Sequence, residues 1–177
     1  MTRVDLTDFA RKIDALSRTY KTLPKEIGAL AVNFSKERFV QQSWLDSTKE
    51  NWQQRKRPRK GKGSQTLLVK TGRLKRSIRI ISADETKVIV GSDVPYAQIH
   101  NDSGKIEKTV AVKTHKVKEH SRTRKGRKET VKEHVVKAHS RRMNTTIPQR
   151  QFLGVSYTLT KQIENLITAR FMRALKL

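Results

Sequence analysis

His100, Asp102 and Ser103 are the residue types of an acyl-transfer triad, and they sit within four consecutive positions. That closeness argues against the chemistry. A nucleophile, its base and the base's orienting acid must converge at hydrogen-bond distance, and neighbours in one loop seldom do. His100 is expected instead to tie its loop to a backbone group. Four more histidines form two pairs, His115/His120 and His134/His139, each five apart. On paired strands four imidazoles could approach one metal. However, that spacing puts the members of a pair on opposite faces of a regular strand, and the usual carboxylate or cysteine signature is absent. Gly61-Lys62-Gly63-Ser64 has the flavour of a phosphate loop but neither its full spacing nor its preceding strand. No paired-carboxylate site, nucleotide motif or carboxylate cluster of a nuclease appears. The chain is therefore expected to be no enzyme, and to carry no cofactor and no metal.

What remains is charge. Forty Lys and Arg against sixteen Asp and Glu give a formal net charge of +24, a statement about partners and solubility rather than fold. The charge is concentrated in two segments. Residues 53–64, QQRKRPRKGKGS, hold six basic residues and no acid, and residues 105–142 carry ten net positive charges. The candidate anion-contacting residues are Arg55, Lys56, Arg57, Arg59 and Lys60 in the first segment. In the second they are Lys113, Lys116, Lys118, Arg122, Arg124, Lys125, Arg127 and Lys128. Nucleic acid, an acidic protein surface and an anionic membrane would all attract them. There is no cysteine, which permits a reducing compartment. The stretch MTRVDLTDFARK shows no apolar signal region, and no apolar run approaches the roughly 20 residues that span a bilayer. The expected place of synthesis and assembly is the cytoplasm, with no membrane partner.

These residues must be positioned by ordinary elements. Leu6, Phe9, Ile13, Leu16, Tyr20 and Leu23 are spaced 3, 4, 3, 4 and 3 apart, an amphipathic helix. Thr22-Leu23-Pro24 reads as a break, with Pro24 in the first turn of a second helix that carries Ile27, Leu30, Ala31 and Phe34. Trp44 and Trp52 stand among polar residues and are expected to cap edges of the core. Residues 53–65 lack large apolar side chains and should form a mobile basic loop. From Thr66 to Gly104 the apolar runs are densest. Leu74 and Ile78 fit one helical turn. The β-branched runs at 78–81 and 87–91 flank Ala83-Asp84-Glu85-Thr86 as a hairpin. Tyr96 to His100 is a second helical turn. Leu68, Leu74, Ile78, Ile80, Val88, Val90, Ile99, Phe152, Ile163 and Leu166 are the expected core. An antiparallel sheet is expected over 67–112.

Beyond it lies an imperfect repeat, VKTHKVKEHSR at 112–122 and VKEHVVKAHSR at 131–141, around a Gly-containing turn. It predicts a long β-hairpin arm inserted at 108–142 and protruding from the core over 113–142. A helix over 129–139 and a solvated loop are the alternatives. A last helix begins near Thr158. The whole reads as one α+β domain over 1–177: N-terminal helices, an antiparallel sheet with the basic hairpin, and a C-terminal helix.

The ordered motif set resembles a known family. It comprises Trp52 and Arg55; Leu68-x-x-Thr71-Gly72-x-Leu74-x-x-Ser77-Ile78; Val90-Gly91-Ser92; Tyr96-Ala97-x-Ile99-His100-x-x-x-Gly104; and Ile147-Pro148-x-Arg150-x-Phe152-Leu153-Gly154. This pattern is similar to the phage virion morphogenesis family, the tail-completion proteins of tailed bacteriophages. It covers roughly 25–104 and 145–175. Trp52, Gly72, Leu74, Tyr96, His100, Gly104, Pro148, Arg150, Phe152 and Gly154 are its structural positions. The glycine after His100 comes later than is usual in the family, and 105–145 is longer and more basic. The resemblance implies a structural virion protein at the head–tail junction, a homo-oligomeric, hexameric ring. Its implied partners are neck, connector or tail-tube proteins, with DNA in the channel. The alternative reading is a basic nucleic-acid-binding protein that contacts phosphates through 53–64 and 105–142. Its weakness is the lack of interleaved aromatics for base stacking.

Overall fold

A computed structural model describes residues 6–55, 66–124 and 126–176. The chain divides into two compact units, Met1–Ser103 with Pro148–Leu177, and Gly104–Ile147. The class is α+β.

In the first unit a single helix, α1, spans Thr7–Gln41 and passes through Pro24 without ending. The expected break is absent. An interior proline costs about 3 kcal/mol, yet Leu23 and Pro24 are both buried, and a fully buried leucine alone returns about 1.5–3 kcal/mol. The apolar stripe also keeps its phase, since Tyr20, Leu23, Ile27, Leu30 and Phe34 continue the 3,4 spacing. At Gln42 the chain turns left-handed, with φ 53°, into two short strands, β1 (Ser43–Leu45) and β2 (Lys49–Asn51). Next come a one-turn helix, α2 (Arg73–Ser77), the hairpin β3 (Arg79–Ala83) and β4 (Val88–Gly91), and α3 (Ala97–Asp102). After the second unit the chain ends in α4 (Tyr157–Leu175), whose N-terminus is capped by the Ser156 hydroxyl.

The hairpin β3–β4 lies on α1. Gly28 lets it approach: a Cβ there would stand 2.6 Å from Ile80 Cδ1 and 3.2 Å from Val88 Cγ1. No broad sheet forms over 67–112, because each described strand has one partner and every sheet has two strands. Residues on such ribbons keep one face half open. Of the ten expected core residues, Leu74, Ile78 and Phe152 are buried, while Leu68, Ile80, Val88, Val90, Ile99, Ile163 and Leu166 are only half-buried. The nucleus is instead Phe39, Trp52, Leu67, Leu74, Ile78, Val94, Ala97 and Phe152. Trp44 and Trp52 do not cap edges. Both are buried, Trp44 edge-on to Phe34 and Trp52 edge-on to Phe39.

The second unit is one ribbon built of strand pairs: β5 (Gly104–Val112) with β10 (His139–Ile147), β6 (His115–Val117) with β9 (His134–Val136), and β7 (His120–Arg124) with β8 (Arg127–Val131). The helical and loop alternatives for this segment are not what forms, and the paired length starts at Gly104 rather than 108.

Phe152 has no exposed surface and packs on Phe39 at 5.0 Å between ring centroids. Phe152→Ala is expected to lower stability by about 3–5 kcal/mol, read as a fall in the urea midpoint with the slope unchanged.

Candidate functional site

Seven residues of the motif set, Arg55, Leu68, Thr71, Leu74, Tyr96, His100 and Arg150, meet at one cleft of the first unit. Leu74, Tyr96, His100 and Arg150 line it with Arg55, Leu67, Leu68, Lys70 and Thr71, around about 370 Å³. Each wall has an identifiable cause. Gly72, at φ 70°, makes the left-handed turn that starts α2 and points Leu74 inward. Leu68 also adopts a positive φ, 59°, an uncommon state for a non-glycine residue.

The third wall is the loop around His100. Its carbonyl accepts the Arg150 N–H at 2.8 Å. The Asn101 side-chain oxygen accepts the N–H groups of Phe152 and Leu153 at 3.0 and 2.9 Å. His100 thus ties its loop to a backbone group as expected, but through its own carbonyl and with Asn101, while its ring Nδ1 is buried without a partner. The ring stands edge-on to Tyr96, centroids 6.1 Å apart. An Asn two residues after an apolar helical position, facing a Phe-Leu pair, is a signal too weak to have been read. The glycine of this motif is displaced as well. Ser103 takes the positive φ, 69°, while Gly104 pairs with Ile147.

Arg150 is buried, and its Nε and Nη2 both donate to the Gln53 carbonyl, at 3.2 and 3.0 Å. Arg55 Nη2 donates to the Thr66 carbonyl at 3.1 Å, leaving Nη1 buried and unpartnered. Burial, and then the Arg55 charge, push Arg150 below the usual arginine range. Burial first and the Arg150 guanidinium second hold His100 below the usual imidazole value. Trp52 and Phe152 lie beneath as core, with Trp52 Nε1 donating to the Gln151 carbonyl at 2.9 Å. Pro148 is half-buried, and Gly154 sits at φ 151°.

The second unit presents seven of the eight described candidate anion-contacting residues. Its repeat is finer than two eleven-residue copies. Val-Lys-x-His occurs four times, at 112–115, 117–120, 131–134 and 136–139. Each unit ends one strand at its Val and starts the next at its His, and the Lys-x pair between them is unpaired. Every histidine sits across from a valine: His139 from Val112, His115 from Val136, His134 from Val117 and His120 from Val131. Each ring Nδ1 lies 3.0 Å from the carbonyl of the lysine two residues back. A carbonyl only accepts, so Nδ1 carries the proton. No group of three or more His, Cys, Asp or Glu that could hold a metal occurs among the described residues.

Lys113 and Lys118 occupy the unpaired positions, and Lys116 and Lys128 are exposed on strands. Arg122 is already committed in cis, 3.2 Å from Glu129. Arg124 and Arg127 face each other across the tip. Lys56, Arg57, Arg59, Lys60 and Lys125 lie outside the described residues. No helix among the described residues is long and apolar enough to cross a membrane.

The sequence pattern of the phage virion morphogenesis family matches residues 4–172. The chain belongs to this family. The matched span takes in the ribbon, which the motif pieces alone leave out. No curated protein and no solved structure matches the chain. Membership in the phage virion morphogenesis family gives the protein a role in assembling a bacteriophage virion.

His100 provides a test of the cleft's electrostatics. Its imidazole resists protonation in the folded state, beside Arg150 and with Arg55 and Lys70 on the same wall. The unfolded chain therefore binds the proton first, and stability is lost as pH falls below about 6.5. Urea midpoints measured between pH 7.5 and 5 should fall more steeply for the wild type than for His100→Asn.

Proposed function

We propose that this protein is a non-enzymatic structural subunit of a tailed-phage virion, a tail-completion or head–tail joining protein that forms a homo-oligomeric ring, most simply of six. The observation that carries this reading is the family match over residues 4–172. Two features of the surface support it.

The first is the uncovered half of α1. Leu6, Phe9 and Ile13 are 62%, 63% and 49% exposed, although they begin the same stripe whose continuation at Leu23 and Phe34 is buried. A strict 3,4 spacing is the seam of a coiled coil and fits another helix. The fitting occupant is a second copy of this chain. Residues 6–20 hold two acids against three bases, and Asp8 and Asp14 pair in cis with Lys12 and Arg18. In a chain of +24, this is a surface where two copies meet without strong repulsion. Elsewhere a ring of such subunits repels itself, so it is expected to be stable on its virion partner and at moderate salt.

The second is the ribbon tip, where Arg124 opposes Arg127. Like charges directly across a strand pair are destabilising on their own and are relieved by an anionic neighbour. The reading favours an acidic protein surface of the neck, connector or tail tube over DNA. A strong cationic grip would hinder DNA passage, and no aromatic residue other than histidine lies in 104–147 to stack bases.

Two variants test the parts separately. Phe9→Glu with Ile13→Glu should leave the helical circular dichroism unchanged and abolish self-association in sedimentation and ring formation in virions. Unchanged association would discard the seam. Removing 113–138 and joining Val112 to His139, which are already paired, through an Asn-Gly turn should preserve the thermal midpoint of the first unit. In complementation of a phage lacking the gene, tails should then fail to join heads. Normal titres would remove the ribbon from any joining role.

A further inference from the structure

The cleft of the first unit carries positive charge that no described residue around it answers. Arg150 is 8% exposed, and the Gln53 carbonyl that it binds holds the guanidinium in place without neutralising it. Arg55 presents a buried, unpartnered Nη1, and His100 a buried, unpartnered Nδ1. Lys70 stands at the same opening, and no carboxylate is among the described residues that line the cleft. A buried charge without a counter-charge is strongly unfavourable, and two adjacent ones more so. The larger cleft between α1 and α4, of about 590 Å³, is different in kind. There Arg18 and Arg170 are answered by Asp14 and Glu26.

We infer that this cleft is a socket for the side-chain carboxylate of an acidic residue on a neighbouring polypeptide. A guanidinium fork binds a carboxylate through two parallel N–H···O bonds, and its geometry favours that group over a point anion. Leu67, Leu68 and Leu74 form an apolar wall suited to the methylene stem of a Glu, and Tyr96 provides a rim that is 42% exposed. Duplex DNA is the poorer fit. Its phosphates lie on a stiff convex rod and do not reach a guanidinium as enclosed as Arg150, whereas a side chain on a peptide does. The socket is separate from the ribbon and the α1 seam, and it specifies a contact that neither of them supplies.

The test titrates the full-length protein, at fixed ionic strength, with three probes. These are an acetylated and amidated Asp/Glu hexapeptide, inorganic phosphate and a twelve-base-pair DNA duplex. Arginine side-chain Nε–Hε signals and the His100 ring signals are followed by NMR. The hexapeptide should shift the Arg55, Arg150 and His100 signals saturably. Arg55→Gln should weaken that binding at least tenfold, Arg55→Lys should weaken it less, and Lys161→Gln on the exposed face of α4 should leave it unchanged. Arg55 is the residue substituted because it is half-exposed, so its loss spares the core that Arg150 borders. The absence of a saturable shift, or a shift that survives Arg55→Gln, overturns the socket. Saturation of these signals by phosphate or duplex at lower concentration than by peptide overturns the carboxylate assignment. Neither result touches the ring or the ribbon, which their own variants test.

Discussion

The first unit depends on Phe39 meeting Phe152. Their centroids are 5.0 Å apart, and Trp52 stands edge-on to Phe39 at 5.5 Å. Three segments are joined at that point: the end of α1, the chain just past β2 and the return segment after residue 147. Such aromatic pairs add about 0.5–1.5 kcal/mol beyond the area they bury. Once Trp52 Nε1 has found the Gln151 carbonyl, the preceding Arg150 turns back towards the Gln53 carbonyl. The cationic cleft is thus a consequence of how the core closes. A change that loosens the aromatic contact would displace the arginine as well.

Two-stranded ribbons leave much backbone to be satisfied by other means, since buried N–H and C=O groups must find partners. Two side-chain amides do this. Gln42, just past α1, accepts the Leu67 N–H at 2.7 Å and thereby fixes the irregular turn before α2. Asn101 takes two successive N–H groups of the return segment. Each amide stands in for a strand edge where the sequence has none. Ser43 Oγ, fully buried and without a partner, shows that the arrangement is not complete everywhere.

Period and turn chemistry made α4, the β3–β4 hairpin, the turns α2 and α3 and the repeat-containing ribbon legible in the sequence. What failed was context. Pro24 looks like a boundary by local rule, but the stripe on both sides of it is one stripe, and tertiary burial decides. Trp44 and Trp52 looked peripheral because their surroundings in sequence are polar, yet both indoles turn in against α1 phenylalanines, Phe34 and Phe39. The core list overvalued β-branched runs that end up on half-open ribbons, and it missed Phe39 and Leu67. For the cleft, the motif supplied the residues but not the sense of His100, whose ring is enclosed rather than bonded. Arg55 was singled out as one of a basic run. Its separate place beside Arg150 follows from the bond between Arg55 and the Thr66 carbonyl, and no local pattern encodes that.

The pairing of Gly104 with Ile147 has a consequence for the order in which the chain assembles. Asn101 and Phe152 are 51 residues apart, and closing a flexible loop of that length costs roughly 3.5 kcal/mol of chain entropy. Once the ribbon is paired, Gly104 and Ile147 lie side by side, and residues 103 and 148 follow directly from them. The return segment then reaches Asn101 across a gap of a few residues. The long insertion, which on paper should slow the search for the native topology, acts as a kinetic clasp that makes a distant contact effectively local.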